Sequence, residues 1–214
     1  MIGRNRRRRF VSAVGLAAIL GATVLSAAPS SDAWRRLEAL RTHLNQSGVL
    51  SARFTQTFIP AGFHDGDTES GNVWLALPDC LRWDYTEPDA KSFLLCGSEL
   101  HSWVPGDQAG RRLRVEPRNE AGLDLLLLPL ATLEQRYQAE LRGANELELR
   151  SSAGVGSLRQ ARLTTDSRNQ RLLRLETTDS EGNVSRFDFS AWAPSSERDR
   201  FDPPSLEWLD ESQR

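Results

Sequence analysis

From residue 49 onward the apolar residues recur at a period of two, in short runs cut off by turn residues, and no other pattern limits the fold as tightly. Val49 to Phe58 sets Phe54 and Phe58 on one side and Arg53, Thr55 and Thr57 on the other, the alternation of a half-buried strand. Further strand candidates follow at 71–77, 80–86, 92–96, 99–104 and 111–116, and then at 135–142, 146–150, 157–165, 171–178 and 184–190. Turn residues separate them, as at Gly143-Ala144-Asn145, Asp166-Ser167-Arg168-Asn169 and Ser180-Glu181-Gly182-Asn183. So many consecutive hairpins imply one antiparallel sheet of about ten strands, which must curl or close.

Two segments depart from this rhythm. Ser31-Asp32 caps a pattern in which Trp34, Leu37, Leu40 and Leu44 recur at steps of three and four up to Gly48, the apolar stripe of a helix. Leu123 to Leu128 is a continuous apolar run poor in β-branched residues, which favours a short helix ended by Pro129. A sheet curled over two apolar helical faces makes an α+β cup with a helical cover. In the tail, Phe201-Asp202-Pro203-Pro204 places prolines where a strand pairs at an edge or a loop crosses the surface.

Residues 1–28 read as a secretory signal, with Arg4 and Arg6 to Arg9 as the basic head, Val11 to Leu25 as the apolar run and Ser26-Ala27-Ala28 as the cleavage region. Arg7-Arg8-Arg9-Phe10-Val11 also fits a twin-arginine signal, though an ordinary basic export head that happens to be all arginine is the favoured reading. No cysteine follows the run to be lipidated, so the expected product is soluble. Residues 29–214 then form one domain, long enough to bury a core. Without residues 1–27 the 27 Lys and Arg fall to 22 against 29 Asp and Glu, a charge of about −7 that disfavours nucleic acid and anionic surfaces. If a hairpin turns at Glu87-Pro88-Asp89, the only two cysteines, Cys80 and Cys96, fall opposite each other; an oxidising compartment would join them. Two small buried thiols in another register account for the pattern equally well.

Catalytic signatures are missing from the sequence. His43, His64 and His101 share no spacing and read as surface or rim residues. There is no G-x-S-x-G elbow, phosphate-cradling glycine loop or H-E-x-x-H helix, and two cysteines without neighbouring histidines make no zinc site. The acids of Phe63 to Glu69 lack calcium-loop spacing and read as a hairpin connection. The expectation is a protein that is not an enzyme and takes no metal or cofactor.

Several short motifs in order carry a resemblance. They are Phe54-Thr55-Gln56-Thr57, Ser70-Gly71 followed by Trp74 and Pro78, Leu81-Arg82-Trp83, Pro88, Gly97, Leu100 and Pro105, then Ser157 to Ser190 and the closing Phe201-Asp202-Pro203-Pro204. In this order the chain, from about Trp34 to Trp208, resembles the LolA family of periplasmic lipoprotein carriers. The resemblance implies an incomplete antiparallel barrel with helices over an apolar cavity for the acyl chains of a lipoprotein. It implies periplasmic localisation, transfer from an inner-membrane ABC transporter to an outer-membrane acceptor, and no bond made or broken. A monomer with a free mouth suits that role.

If odd positions of the hairpin face inward, Leu75, Leu77, Leu81, Trp83, Phe93 and Leu95 line such a cavity, beside Phe54 and Phe58. Leu125, Leu126 and Leu128 would form its lid. Two departures from the family pattern stand out. The basic residue usual before the proline of the second strand, which ties sheet to lid, is Leu77, so the lid is expected to hold by apolar contact alone. The aspartate usual before Gly97 is Cys96. The first of these favours, as an alternative, a LolA-like module that binds another lipid or a lipid-linked intermediate, or that senses lipoprotein for a signalling partner.

Overall fold

The computed structural model describes residues 31–115, 124–152 and 158–210; the expected signal at 1–28 lies outside them. The first element is the expected amphipathic helix, α1 (Ser31–Gln46), whose Trp34, Leu37, Leu40 and Leu44 are all buried. Each such leucine removed from water contributes roughly 2 kcal/mol, so the stripe fixes which way the helix faces. Gly48, at φ +70°, takes the left-handed turn that ends it.

A first meander follows: β1 (Leu50–Ile59), β2 (Asp67–Ala76), β3 (Cys80–Glu87), β4 (Lys91–Cys96), β5 (Glu99–Trp103) and β6 (Ala109–Arg114). The lid segment comes next, as α2 (Asp124–Leu127) and α3 (Leu130–Arg136). A second meander runs through β7 (Tyr137–Leu141), β8 (Glu146–Ser151), β9 (Leu158–Thr165), β10 (Leu172–Asp179) and β11 (Val184–Pro194). A 3-10 turn (Arg198–Phe201) and β12 (Glu207–Asp210) close the described chain.

β1 pairs with both β2 and β11, which joins the two meanders into one twelve-stranded sheet in the order β12-β6-β5-β4-β3-β2-β1-β11-β10-β9-β8-β7. Every pairing is antiparallel except that of β12 with β6. The sheet is curled and unclosed, an incomplete barrel, and its inner face packs on α1 to α3 in one apolar core. Leu50, Ala52 and Phe54 of β1, Val73 and Leu75 of β2, and Leu147 and Leu149 of β8 are the alternate residues that face it.

The expectations differ from the structure in three places. The strand expected from 135 begins at Tyr137, because Leu130 and Leu133 repeat at helical spacing behind Pro129 and form α3 first. The tail adds a twelfth strand. His101 is buried, 7% exposed, with Nε2 3.1 Å from Glu99 Oε1, and burial lowers its pKa while Glu99 opposes that shift. Its cover is the tail itself: the Trp208 ring lies 4.6 Å from His101 and 6.1 Å from Trp103. A Cβ on Gly110 would stand 2.4 Å from the Trp208 ring, so only glycine admits it.

Trp74, at an even position of the hairpin, lies on the outer face beneath the tail. Its Nε1 donates to Glu197 at 2.9 Å, and the Arg200 guanidinium sits 4.7 Å over its ring. Arg82 donates to the carbonyl of Arg200 at 2.7 Å and lies 5.0 Å over Trp103. With buried Leu94 and Trp103 these residues form a second apolar layer on the outside of β2 to β5. The other half of the outer face is ionic. Glu148, 3% exposed, accepts from Arg142 at 3.1 Å and Arg162 at 3.3 Å and pairs with Arg150 at 2.5 Å.

Cys80 and Cys96, directly paired across β3 and β4, form a disulfide. Among the described residues no helix is long and apolar enough to cross a membrane.

Candidate functional site

Between the inner face and the helices lies an apolar cavity of about 260 Å³. The first meander supplies Val73, Leu75, Trp83, Tyr85, Phe93 and Leu100 to its wall. The second supplies Leu172, Leu175, Phe187, Phe189 and Trp192, and the helices contribute Leu44 and Leu126. Rings brace the wall along β11 and across strands: within β11 Phe187 stacks on Phe189 with centroids 6.2 Å apart and Phe189 leans on Trp192 at 5.6 Å, and between β1 and β3 Phe54 meets Tyr85 edge-on at 4.9 Å.

Polar atoms in this wall are satisfied by the protein. The Tyr85 hydroxyl donates to Gln56 Oε1 at 2.5 Å, and Trp192 Nε1 donates to the Leu172 carbonyl at 2.7 Å. Burial, aided by the Glu69 charge, pushes the Tyr85 phenol well above the usual tyrosine range, so it stays neutral. What remains facing the hollow is hydrocarbon and ring faces. An apolar cavity of about 150 Å³ stays dry and takes a benzene-sized ligand. One of 260 Å³ has room for a larger apolar segment.

Tyr85 reaches Phe54 because the residue between them has no side chain. Gly71 is paired with Phe54 on one side and Tyr85 on the other, at an irregularity in the β2–β3 register. A Cβ there would lie 2.0 Å from the Asp84 carbonyl oxygen. This glycine therefore sets the ring geometry of the wall.

The lid is tied by a hydrogen-bonding group that the sequence reading missed. From α1, Arg41 Nη2 donates to the carbonyl oxygens of Leu126, at 3.3 Å, and of Leu128. A helix of four residues cannot satisfy its own final carbonyls, and a guanidinium can span two at once. Burial lowers the Arg41 pKa, with Glu38 opposing the shift. The expectation that the lid holds by apolar contact alone, because Leu77 replaces a basic residue, is thus corrected. Leu77 is buried in the core and the cation comes from the opposite side, on a helix.

Of the residues expected to line the cavity, Leu75, Trp83, Phe93 and Leu126 are on its surface. Phe54, Leu77, Leu81, Leu95 and Leu125 are buried behind it in the core, and Leu128 is half-buried against that core. Phe58 is 41% exposed at the far end of β1, so its inward parity does not bring it into the cavity. The β10–β11 wall went unforeseen because the β1–β11 pairing that brings it opposite β2 to β4 is a non-local contact. Its one local signal is the alternation of Phe187 and Phe189. Among the described residues no group of His, Cys, Asp or Glu could hold a metal ion.

The family model of the outer membrane lipoprotein carrier protein LolA matches residues 45–202. No curated protein matches the chain by sequence. Among solved structures the chain is similar to MucB, at 13% identity and a TM-score of 0.53, covering 82% of this chain and 64% of MucB. An uncharacterized conserved protein from Thermus thermophilus shares 14% identity and a TM-score of 0.52, covering 84% of this chain and 99% of that one. A LolA superfamily protein from Nitrosomonas europaea shares 16% identity over 80% of this chain and 97% of its own, with a TM-score of 0.46. At such identities the first two likenesses are of fold alone.

Proposed function

The chain belongs to the LolA family, and from that premise we propose that its cavity receives the acyl chains of a lipoprotein and carries them through the periplasm from the inner to the outer membrane. The observation that supports this reading is an apolar hollow bordered by a short leucine-bearing lid that Arg41 ties through two carbonyls. Each methylene kept from water is worth about 0.8 kcal/mol, so a long acyl chain faces on the order of 10 kcal/mol against crossing unaided. A cavity lined by rings and leucines replaces that contact. A lid with few bonds lets the chain leave again. In this role the protein binds and releases without catalysis, as a monomer, and its partners are an inner-membrane ABC transporter and an outer-membrane acceptor.

A second reading keeps the fold and changes the cargo to another lipid, or to a lipoprotein sensed for a signalling partner. It is favoured by the modest volume of 260 Å³ and by Leu77 at the position where the family pattern has a basic residue. Native mass spectrometry of the protein with a triacylated lipoprotein, beside Leu126→Glu, decides between the cargoes. A one-to-one complex lost in the variant supports a cavity that takes lipoprotein rather than another lipid. Absence of a complex with the folded wild-type protein overturns lipoprotein transport and lipoprotein sensing alike and leaves another lipid as the cargo.

A further inference from the structure

The inner face changes character along its strands. Next to the apolar wall, towards the β1–β2 hairpin end, stand four polar side chains. Gln56 is paired with Glu69 across β1 and β2, and Tyr85 with Lys91 across β3 and β4. Lys91 Nζ lies 2.6 Å from Glu69 Oε1 and 4.6 Å from the centroid of the Tyr85 ring. That ring lines the cavity, and its hydroxyl is held by Gln56. The Lys91 and Glu69 side chains are 35% and 27% exposed, so water reaches the ion pair from one side while the ring below it touches the hollow.

Lys91 is also the sole lysine among 27 basic residues. The distinction is chemical. Arginine presents a rigid planar fork, whereas lysine is a compact charge on a flexible stem that can leave one partner for another. Here the stem emerges at the boundary between apolar wall and water, where the polar end of a bound amphiphile would lie.

Resting on the cavity reading above, we propose that Glu69 and Lys91 form a headgroup subsite, and that it selects a lipid whose head carries a phosphate beside an ammonium. Such a zwitterionic head exchanges the Lys91–Glu69 pair and its own internal pair for two new ones, phosphate with Lys91 and ammonium with Glu69, and leaves no charge unmatched. A purely anionic head pairs with Lys91 but strands the Glu69 carboxylate beside it, the repulsive element that gives selectivity. A neutral head leaves the existing pair in place and gains nothing from either residue. Because the pair is partly exposed, the preference is modest, about fivefold.

The test is competition against an apolar fluorescent probe by three lipids with the same single acyl chain: lysophosphatidylethanolamine, lysophosphatidylglycerol and monoacylglycerol. Wild-type protein should bind the zwitterionic lipid about fivefold more tightly than either of the others. Glu69→Gln should reverse the order of the two phospholipids, and Lys91→Gln should bring the zwitterionic lipid towards the neutral one and drop the anionic lipid below it. Ratios taken within one preparation cancel any loss of folded protein. Equal affinity of wild type for all three lipids, or an order that Glu69→Gln leaves unmoved, overturns the subsite. Failure of the wild type to bind the probe or any of the lipids overturns the cavity reading instead.

Discussion

Arg41, on α1, donates a hydrogen bond to the carbonyl of Leu126 at 3.3 Å, while the side chain of the same Leu126 forms part of the cavity wall. One residue thus belongs both to the latch and to the surface that a ligand touches, so whatever moves Leu126 to admit a chain also pulls on Arg41.

Replacing the latch should therefore loosen the lid ahead of the rest of the fold. A hydrogen bond to a charged group contributes about 1.5–3 kcal/mol, and losing about 2 kcal/mol raises the frequency of lid opening about thirtyfold. In Arg41→Leu, amide hydrogen exchange across 124–128 should speed up by that order while the strands of the first meander stay protected. Uniform acceleration through every strand would mean that Arg41 supports the whole core instead.

Gly71→Ala should be far more damaging than its size suggests. The added carbon meets the Asp84 carbonyl at 2.0 Å, and backbone on both strands must shift. A loss of about 3 kcal/mol or more in urea unfolding is expected, with altered near-ultraviolet signal from Tyr85. A variant as stable as the wild type would show that the irregularity between β2 and β3 can be reset without cost.

Acid should weaken the second meander through Glu148. Burial alone would raise this carboxyl, but hydrogen bonds from Arg142 and Arg162 and the charge of Arg150 outweigh it, and its pKa lies below the usual carboxylate value. A pKa depressed on folding gives stability that is present above the unfolded value of 4.5 and is lost as pH falls through the folded value. Melting temperature followed downward from neutral pH should fall below that carboxylate range. In Glu148→Gln the fall should be shallower. Parallel curves for the two proteins would assign the acid limb to other groups.

Reduction of Cys80–Cys96 should destabilise the first meander. The bond closes a loop of sequence separation 16, for which the chain-entropy contribution is about 3 kcal/mol. Urea midpoints with and without reductant measure it directly. The midpoint of a Cys80→Ser/Cys96→Ser protein should match the reduced wild type and ignore reductant.

The sequence carried the parts of this fold that are local. The stripe of α1 and the inward parity of Leu75, Trp83 and Phe93 follow from spacing within one or two elements, and of the two registers that spacing left open for Cys80 and Cys96 the paired one is found. The parts that escaped depend on distant pairings. Phe187 and Trp192 enter the cavity wall only because β11 lies beside β1, and Arg41 becomes a latch only because α1 crosses the lid. Inward parity also overreached: it placed Phe58 with Phe54, but parity gives a face and not a depth, and Phe58 lies beyond the covered region. Leu130 and Leu133 were hidden by brevity, since two apolar residues three apart fit a strand end and a helical turn alike.

The tail laid across the outside of β2 to β5 makes that half of the barrel a laminate, with apolar residues bonded to both of its faces. A laminated plate resists bending far better than a single sheet with one face in water. The vessel should therefore not swell to fit its contents by flexing this side. Its capacity would change in steps, set by whether the lid is down or lifted, and a cargo too large for the closed hollow would be held with the lid ajar.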